Sequence, residues 1–216
     1  MARTALFYDS GVTSDFDLLD AWAAGDRDAG GQLFRRHFRA VFRFFNNKIT
    51  TGSEDLVQQT FLACVETHTR FRRDASFRAF LLGTARNVLY NEFRRRRRKD
   101  DPIDFTDHSA MDLAPSPSSI IADKVEQRML LEALRRIPLD YQIALELHLW
   151  EGLTGPEMAE VLGLGEPGVR SRLRRAKEAL GTCMKQLRGN ASPLASTTGD
   201  LERWAASLRE AAGGGS

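Results

Sequence analysis

Cysteine and histidine are scarce in this chain, and their placement suggests no chemistry. The only two cysteines, Cys64 and Cys183, stand far apart, and neither belongs to a Cys-x-x-Cys pair. A disulfide framework or a zinc site is therefore not expected. His37, His68, His108 and His148 are scattered too, so no metal ligand set, catalytic grouping or cofactor is expected. Long apolar runs are missing as well. Nothing approaches the roughly 18 consecutive apolar residues of a membrane span. The first residues, MARTALFYDSGVTSDFD, turn acidic early and lack the basic-then-apolar layout of a signal peptide. A cytoplasmic protein is the resulting expectation. Clustered carboxylates and a Walker loop are also missing, which argues against an enzyme acting on nucleic acid.

What is present is charge, unevenly laid out. The net charge of the 216 residues is only +2. Yet Arg94 to Arg98 and Lys99 form a solid basic block. Asp100, Asp101, Asp104, Asp107 and Asp112 follow, with no Lys or Arg until Lys124. A second basic cluster holds Arg170, Arg172, Arg174, Arg175 and Lys177. Two basic patches around an acidic stretch suggest a polyanion touched at two places. Each run alone also fits a solvated helix face.

Helical spacing dominates, and strand signals are scarce. Ser14 with Asp17 resembles a helix start; Phe16, Leu19 and Trp22 give its apolar side, and Gly25 ends it. Phe34, Phe38, Val41, Phe42, Phe45 and Ile49 recur at gaps of three and four, one face of a long helix broken at Thr51-Gly52. Ser53 is expected to cap a third helix carrying Leu56, Val57, Phe61 and Val65. Arg72 to Ser76 is expected as a loop. A fourth helix is expected from about Phe77 to Arg97, with Leu81, Ala85, Val88 and Leu89 on one side. Asn87, Asn91 and Arg94, with Tyr90 beside them, take the opposite side. That planar, polar stripe suits phosphates and unstacked bases as well as plain solvent. Residues 100–122 contain Pro102, Pro115 and Pro117 and no apolar periodicity, and are expected as a flexible acidic linker. Beyond it, Val125, Met129, Leu130, Leu134 and Ile137 are helical in spacing up to Pro138. Tyr141 to Trp150 forms another helix, closed by Gly152.

The second half holds the sharpest motif. Thr154 and Glu157 have cap-box spacing. Ala159, Gly163 and Val169 then fall at offsets of four and ten. A small residue for close helix approach, a glycine for the turn and a β-branched plug describe a helix-turn-helix. Leu162, Leu164 and Leu173 complete its buried seam. The exposed side of the second helix would carry Arg170, Ser171, Arg174 and Arg175 towards base edges. Arg172 and Lys177 are better placed for phosphates or solvent. A helical hairpin with a solvated basic face is the plainer alternative.

Taken in order, these segments resemble the extracytoplasmic-function (ECF) group of sigma-70 family RNA polymerase sigma factors. Glu54-Asp-Leu-Val-Gln-Gln-Thr-Phe61 looks like the region 2 helix. The segment from Phe71 to Val88 with the arginine block looks like its promoter-melting part. Glu151 to Gly163 and Gly168 to Lys177 look like region 4. The resemblance covers roughly residues 15 to 187 and implies an all-α chain of two small helical domains. A tail at 1–14 would precede region 2 at 15–99. The acidic linker at 100–122, region 4 at 123–188 and an extension at 189–216 would follow. It also implies roles. Glu54, Asp55, Leu56, Gln58 and Gln59 would grip the β′ clamp helices of core RNA polymerase, and region 4 would meet the β flap. Arg72, Arg73, Ser76, Phe80, Arg86, Asn87, Asn91 and Arg94 would open and hold the −10 element. Arg170, Ser171, Arg174, Arg175 and Lys177 would read the −35 element of promoter DNA. Two positions depart from the family pattern: Phe80 stands where tryptophan is usual, and Pro167-Gly168 replaces the usual Gly-Thr.

The same resemblance implies an anti-sigma partner, with the protein held at the membrane through it. The extension offers self-regulation instead: Leu201, Trp204, Ala205 and Leu208 have amphipathic spacing, though a frayed tail fits too. Gly213 to Ser216 fits a natural tail or an expression scar. The competing reading is a helix-turn-helix regulator that binds duplex DNA through its second domain alone. It would need a sensor in the first domain, where an aromatic, Asn/Arg-rich helix stands instead.

Overall fold

A computed structural model describes residues 13–70, 76–96, 103–113 and 125–188. Among them the secondary structure is helical, and the one β pairing is a lone bridge between Ser109 and Pro138. The first domain holds α1 (Asp15–Ala23), α2 (Arg27–Asn46), α3 (Ser53–Thr67) and α4 (Phe77–Arg96). The second holds α6 (Val125–Arg136), α7 (Leu139–Leu149), α8 (Gly155–Leu162) and α9 (Glu166–Arg188), with a short α5 (Ala110–Leu113) between the two sets.

Local chemistry sets the first helices. The Ser14 hydroxyl accepts the Asp17 amide and starts α1, and Gly25, at φ +105°, turns the chain. Asp26 then caps α2 by accepting the Asp28 and Ala29 amides. α1 and α2 lie so close at Gly30 that a Cβ there would stand 2.7 Å from the Trp22 ring. The start of α3 differs from expectation. Gly52, left-handed at φ +86°, is its cap, and no side chain caps the helix. Ser53 lies inside the first turn and is buried, so it offers no cap. The core of this domain is aromatic: Phe44, Phe45, Phe61, Phe77 and Phe93 are all buried. Phe34 joins them, its ring 5.0 Å from that of Phe61. Burying such rings is the main favourable term, about 25 cal/mol per Å² of apolar surface.

The second domain packs Leu130, Leu134, Ile137, Leu145, Ala176, Leu180 and Met184 into its own core. Its α7 and α8 also contribute Ile143, Leu147, Leu153, Met158 and Val161 to the core of the first domain. The two domains are thus packed together. Ion pairs line the junction. Lys48, fully buried, reaches the Glu146 carboxylate. Burial pulls its ammonium below the ordinary lysine value, and Glu146 restores part of it. Arg135 donates to the Asn47 carbonyl at 2.7 Å.

The acidic stretch is not loose where it is described. Phe105 is 6% exposed and its ring stacks on Tyr90 at a centroid distance of 3.9 Å. The amides of Leu139 and Asp140 donate to the carbonyls of His108 and Phe105. One aromatic residue and two backbone bonds therefore dock residues 103–113 where a flexible tether was expected. The rest of the stretch lies outside the described residues.

Candidate nucleic-acid interface

The helix-turn-helix forms as its spacing dictates. The Thr154 amide donates to Glu157 Oε2 at 2.8 Å, and the Glu157 amide returns to Thr154 Oγ1 at 3.5 Å. Burial pushes the Glu157 carboxyl up, but hydrogen bonds from Ser76 and Thr154 outweigh it and hold the group below its ordinary value. Gly163 takes the left-handed turn at φ +66°, where a side chain would be strained. Val169 on α9 is 2% exposed and plugs the angle.

Beyond that plug, α9 presents Arg170, Arg174 and Arg175 to solvent, with Ser171 and Lys177 half-buried beside them. Arg174 pairs with Glu178 at 2.8 Å, and Arg170 stands 3.8 Å from Glu166. Both pairs are exposed, and such pairs contribute about 0–1 kcal/mol. They give way readily to a phosphate or a guanine edge. Arg172 departs from expectation. Its side chain is only 16% exposed and donates to Asp140 at 2.7 Å. It holds the domain together and offers nothing to solvent or phosphate.

On α4 the polar stripe is present, with one correction. Asn87, Asn91 and Arg94 are exposed, as the spacing predicts. Tyr90 is not part of that surface. It is 6% exposed, and its hydroxyl donates to Asp140. Burial, with the Asp140 charge second, pushes the phenol up from its ordinary value. Arg86 lies over the Tyr90 ring at 4.5 Å and donates to the Tyr90 hydroxyl at 3.1 Å. Phe80 is half-buried, in T-shaped contact with Phe77 at 6.1 Å. Phe80, Arg86, Asn87 and Asn91 share a groove of about 640 Å³ with Glu160 and Val161 of α8. Arg95 and Arg96 fold back onto Glu92, at 2.8 and 2.7 Å. The Arg95 hydrogen bond holds that carboxyl below its ordinary value. Half of the arginine block is thus partly neutralised from within its own helix. Ser76 caps α4 by accepting the Ala79 amide at 3.2 Å, and its hydroxyl donates to Glu157. Arg72 and Arg73, expected beside it, lie outside the described residues.

On α3, Glu54, Asp55, Gln58 and Gln59 are exposed in a row, whereas Leu56 is buried in the domain's own core. Leu56 therefore presents no surface to a partner. The residue missed is Leu62, 57% exposed and one turn beyond Gln58 and Gln59. Its i+3 and i+7 spacing from Gln59 and Asp55 marks the shared face. Among the described residues no group of His, Cys, Asp or Glu is placed to hold a metal ion.

The chain is a two-domain helical protein whose second domain carries a helix-turn-helix and whose first carries a polar, aromatic helix stripe. Residues 33–99 match the family model for sigma-70 region 2, and residues 127–180 match that for sigma-70, region 4. The ECF RNA polymerase sigma factor SigM of Mycobacterium tuberculosis is 30% identical over 174 residues, 77% of this chain and 83% of SigM. The ECF RNA polymerase sigma factor BldN of Streptomyces coelicolor is 28% identical over 177 residues, 80% of this chain and 66% of BldN. Among solved structures, CnrH in complex with the cytosolic domain of CnrY superposes with a TM-score of 0.58 at 24% identity. That match covers 83% of this chain and all of CnrH's. The chain belongs to the sigma-70 family of RNA polymerase sigma factors, in its ECF group. The region 2 match disfavours a regulator that uses duplex DNA alone.

Proposed function

We propose that this ECF sigma factor divides promoter recognition between its two domains and supplies no chemistry of its own. Asp55, Gln58 and Gln59, with Glu54 at the edge and Leu62 as an apolar anchor, form the face that grips the β′ clamp helices of core polymerase. Asn87 and Asn91, with Arg94, Phe80, Arg86 and Ser76, hold unstacked bases and phosphates of the melted −10 element; Arg72 and Arg73 are assigned there by resemblance. Unpairing a base costs a few kcal/mol, which stacking and planar hydrogen bonds offset. Arg170, Arg174 and Arg175 read the −35 duplex, with Ser171 and Lys177 on the flanking backbone. The β flap meets the second domain.

The observation that carries this reading is the pair of unlike faces on one chain. Exposed arginines line the helix behind a helix-turn-helix, and exposed asparagines line α4. The CnrH structure contains the cytosolic domain of CnrY, which supports a protein partner of anti-sigma type for this chain. No helix of the described residues is long and apolar enough to cross a membrane. A cytoplasmic site of action, at the membrane when such a partner holds the protein there, accords with that.

The two faces separate by experiment in the holoenzyme. Asn87→Ala with Asn91→Ala is expected to slow promoter opening while leaving duplex −35 binding intact. Arg170→Ala with Arg174→Ala is expected to weaken duplex binding and lower its salt slope by about two. Equal loss in both assays from either pair would contradict the division.

A further inference from the structure

The first helix of the helix-turn-helix lies directly on the helix that carries the stripe. A Cβ on Gly83 of α4 would sit 3.8 Å from the Val161 Cα of α8. Around this contact, acceptors of the second domain hold donors of the first. Glu151 takes Arg43, through Nη2 at 2.6 Å and Nε at 3.1 Å, and Arg78 as well. Glu157 takes the Ser76 hydroxyl. The Val161 carbonyl accepts from Arg86 Nη1 at 3.5 Å. Asp140 takes the Tyr90 hydroxyl and stands 3.8 Å from Arg86. Glu160 lines the same groove as Asn87 and Asn91. Carboxylates thus sit where phosphates would have to come.

Distance makes the conflict sharper. The −10 and −35 elements are about 25 base pairs apart, or about 85 Å of duplex at 3.4 Å per pair. With α8 seated on α4, the two faces cannot reach both elements at once. The segment between Arg96 and Val125 has ample length when released, at up to about 3.3 Å per residue. It is not released. Phe105 is stacked on Tyr90 of the first domain, while its carbonyl accepts the Asp140 amide of the second.

We infer that the second domain is a built-in cover over the single-strand face of the first, latched by Glu151 and Glu157 and stapled by Phe105. This rests on the reading of α4 as that face. The described arrangement is then the resting state. Engagement of the polymerase and promoter requires the latch to open and residues 103–113 to undock. Opening exposes Ile143, Leu147 and Met158, which now lie in the shared core. A partner surface that covers them is needed to hold the open form.

The test uses the full chain. Glu151→Gln removes the charge that holds Arg43 and Arg78, and Arg43→Gln loosens the same pair from its more exposed side. Solution scattering reads the dimensions, and a fluorescent single-stranded oligonucleotide library reads the α4 face. Both variants are expected to show a larger radius of gyration and roughly tenfold tighter strand binding, with circular dichroism unchanged. Should Glu151→Gln fail to fold, Arg43→Gln decides. Folded variants with the wild-type radius and affinity would overturn the latch. Expansion without tighter strand binding would leave the latch standing and overturn the single-strand reading of α4.

Discussion

Phe105→Ala probes the docking of the acidic segment, the feature that sequence spacing did not foretell. The ring is 6% exposed, stacked at 3.9 Å on Tyr90 and 6.4 Å from Phe93, with the Arg94 guanidinium 5.5 Å above it. Truncating a buried phenylalanine costs about 3–5 kcal/mol, including the cavity left behind. The aromatic pair alone accounts for about 0.5–1.5 kcal/mol. The segment lies at the edge of the core and can partly collapse, so the low end, about 3 kcal/mol, is expected. For a chain of 216 residues that lowers Tm by roughly 6–12 °C. Urea unfolding followed by circular dichroism measures it, with Phe105→Leu as a control that retains most of the volume. A loss under about 1 kcal/mol for the alanine variant would refute a docked segment and restore a loose tether.

Other outcomes follow from single contacts. Gly30→Ala should gain up to about 1 kcal/mol of helix propensity but lose about 1–3 kcal/mol to overpacking against Trp22, so a net fall in the urea midpoint is expected. Arg172→Gln should cost about 3 kcal/mol, because it strips a partner from buried Asp140, yet leave the base preference of duplex binding unchanged. Arg174→Ala should do the reverse, weakening duplex binding in a salt titration and changing stability by less than about 0.5 kcal/mol. Acid should loosen the fold in a defined direction. The Glu157 and Glu92 carboxyls are held below their ordinary values. Their contribution is therefore present above the unfolded carboxylate pKa of about 4.3 and is lost as pH falls through the folded values. Thermal melts should be flat in this respect from neutral pH to about pH 5 and should fall below that, with a smaller fall for Glu157→Gln.

Much of the chain was legible because its rules are local. Thr154, Glu157, Ala159, Gly163 and Val169 lie within sixteen residues, and capping, turn and plug each act over one or two helical turns. The exposed row from Glu54 to Gln59 and the stripe of Asn87 and Asn91 follow from helical periodicity alone. The junction did not, because its partners are remote. Arg43 and Glu151 are 108 positions apart, Lys48 and Glu146 98, and Tyr90 and Asp140 50. Tyr90 sits beside Asn91 on the helical wheel, but Phe105 covers it from outside the helix. Arg172 reads as one more cation of a basic face until Asp140 is placed beneath it. Leu62 was overlooked for the opposite reason: it lies among apolar residues of α3, and only the packing shows that it alone of them faces out.

The most direct measurement of the central claim is transcription reconstituted from core RNA polymerase, this protein and a genomic promoter library. The account predicts a stable core complex, lost with Asp55→Ala and Leu62→Ala together. It also predicts transcripts that begin downstream of one shared pair of −35 and −10 elements. A chain that forms no complex with core and opens no promoter would contradict it.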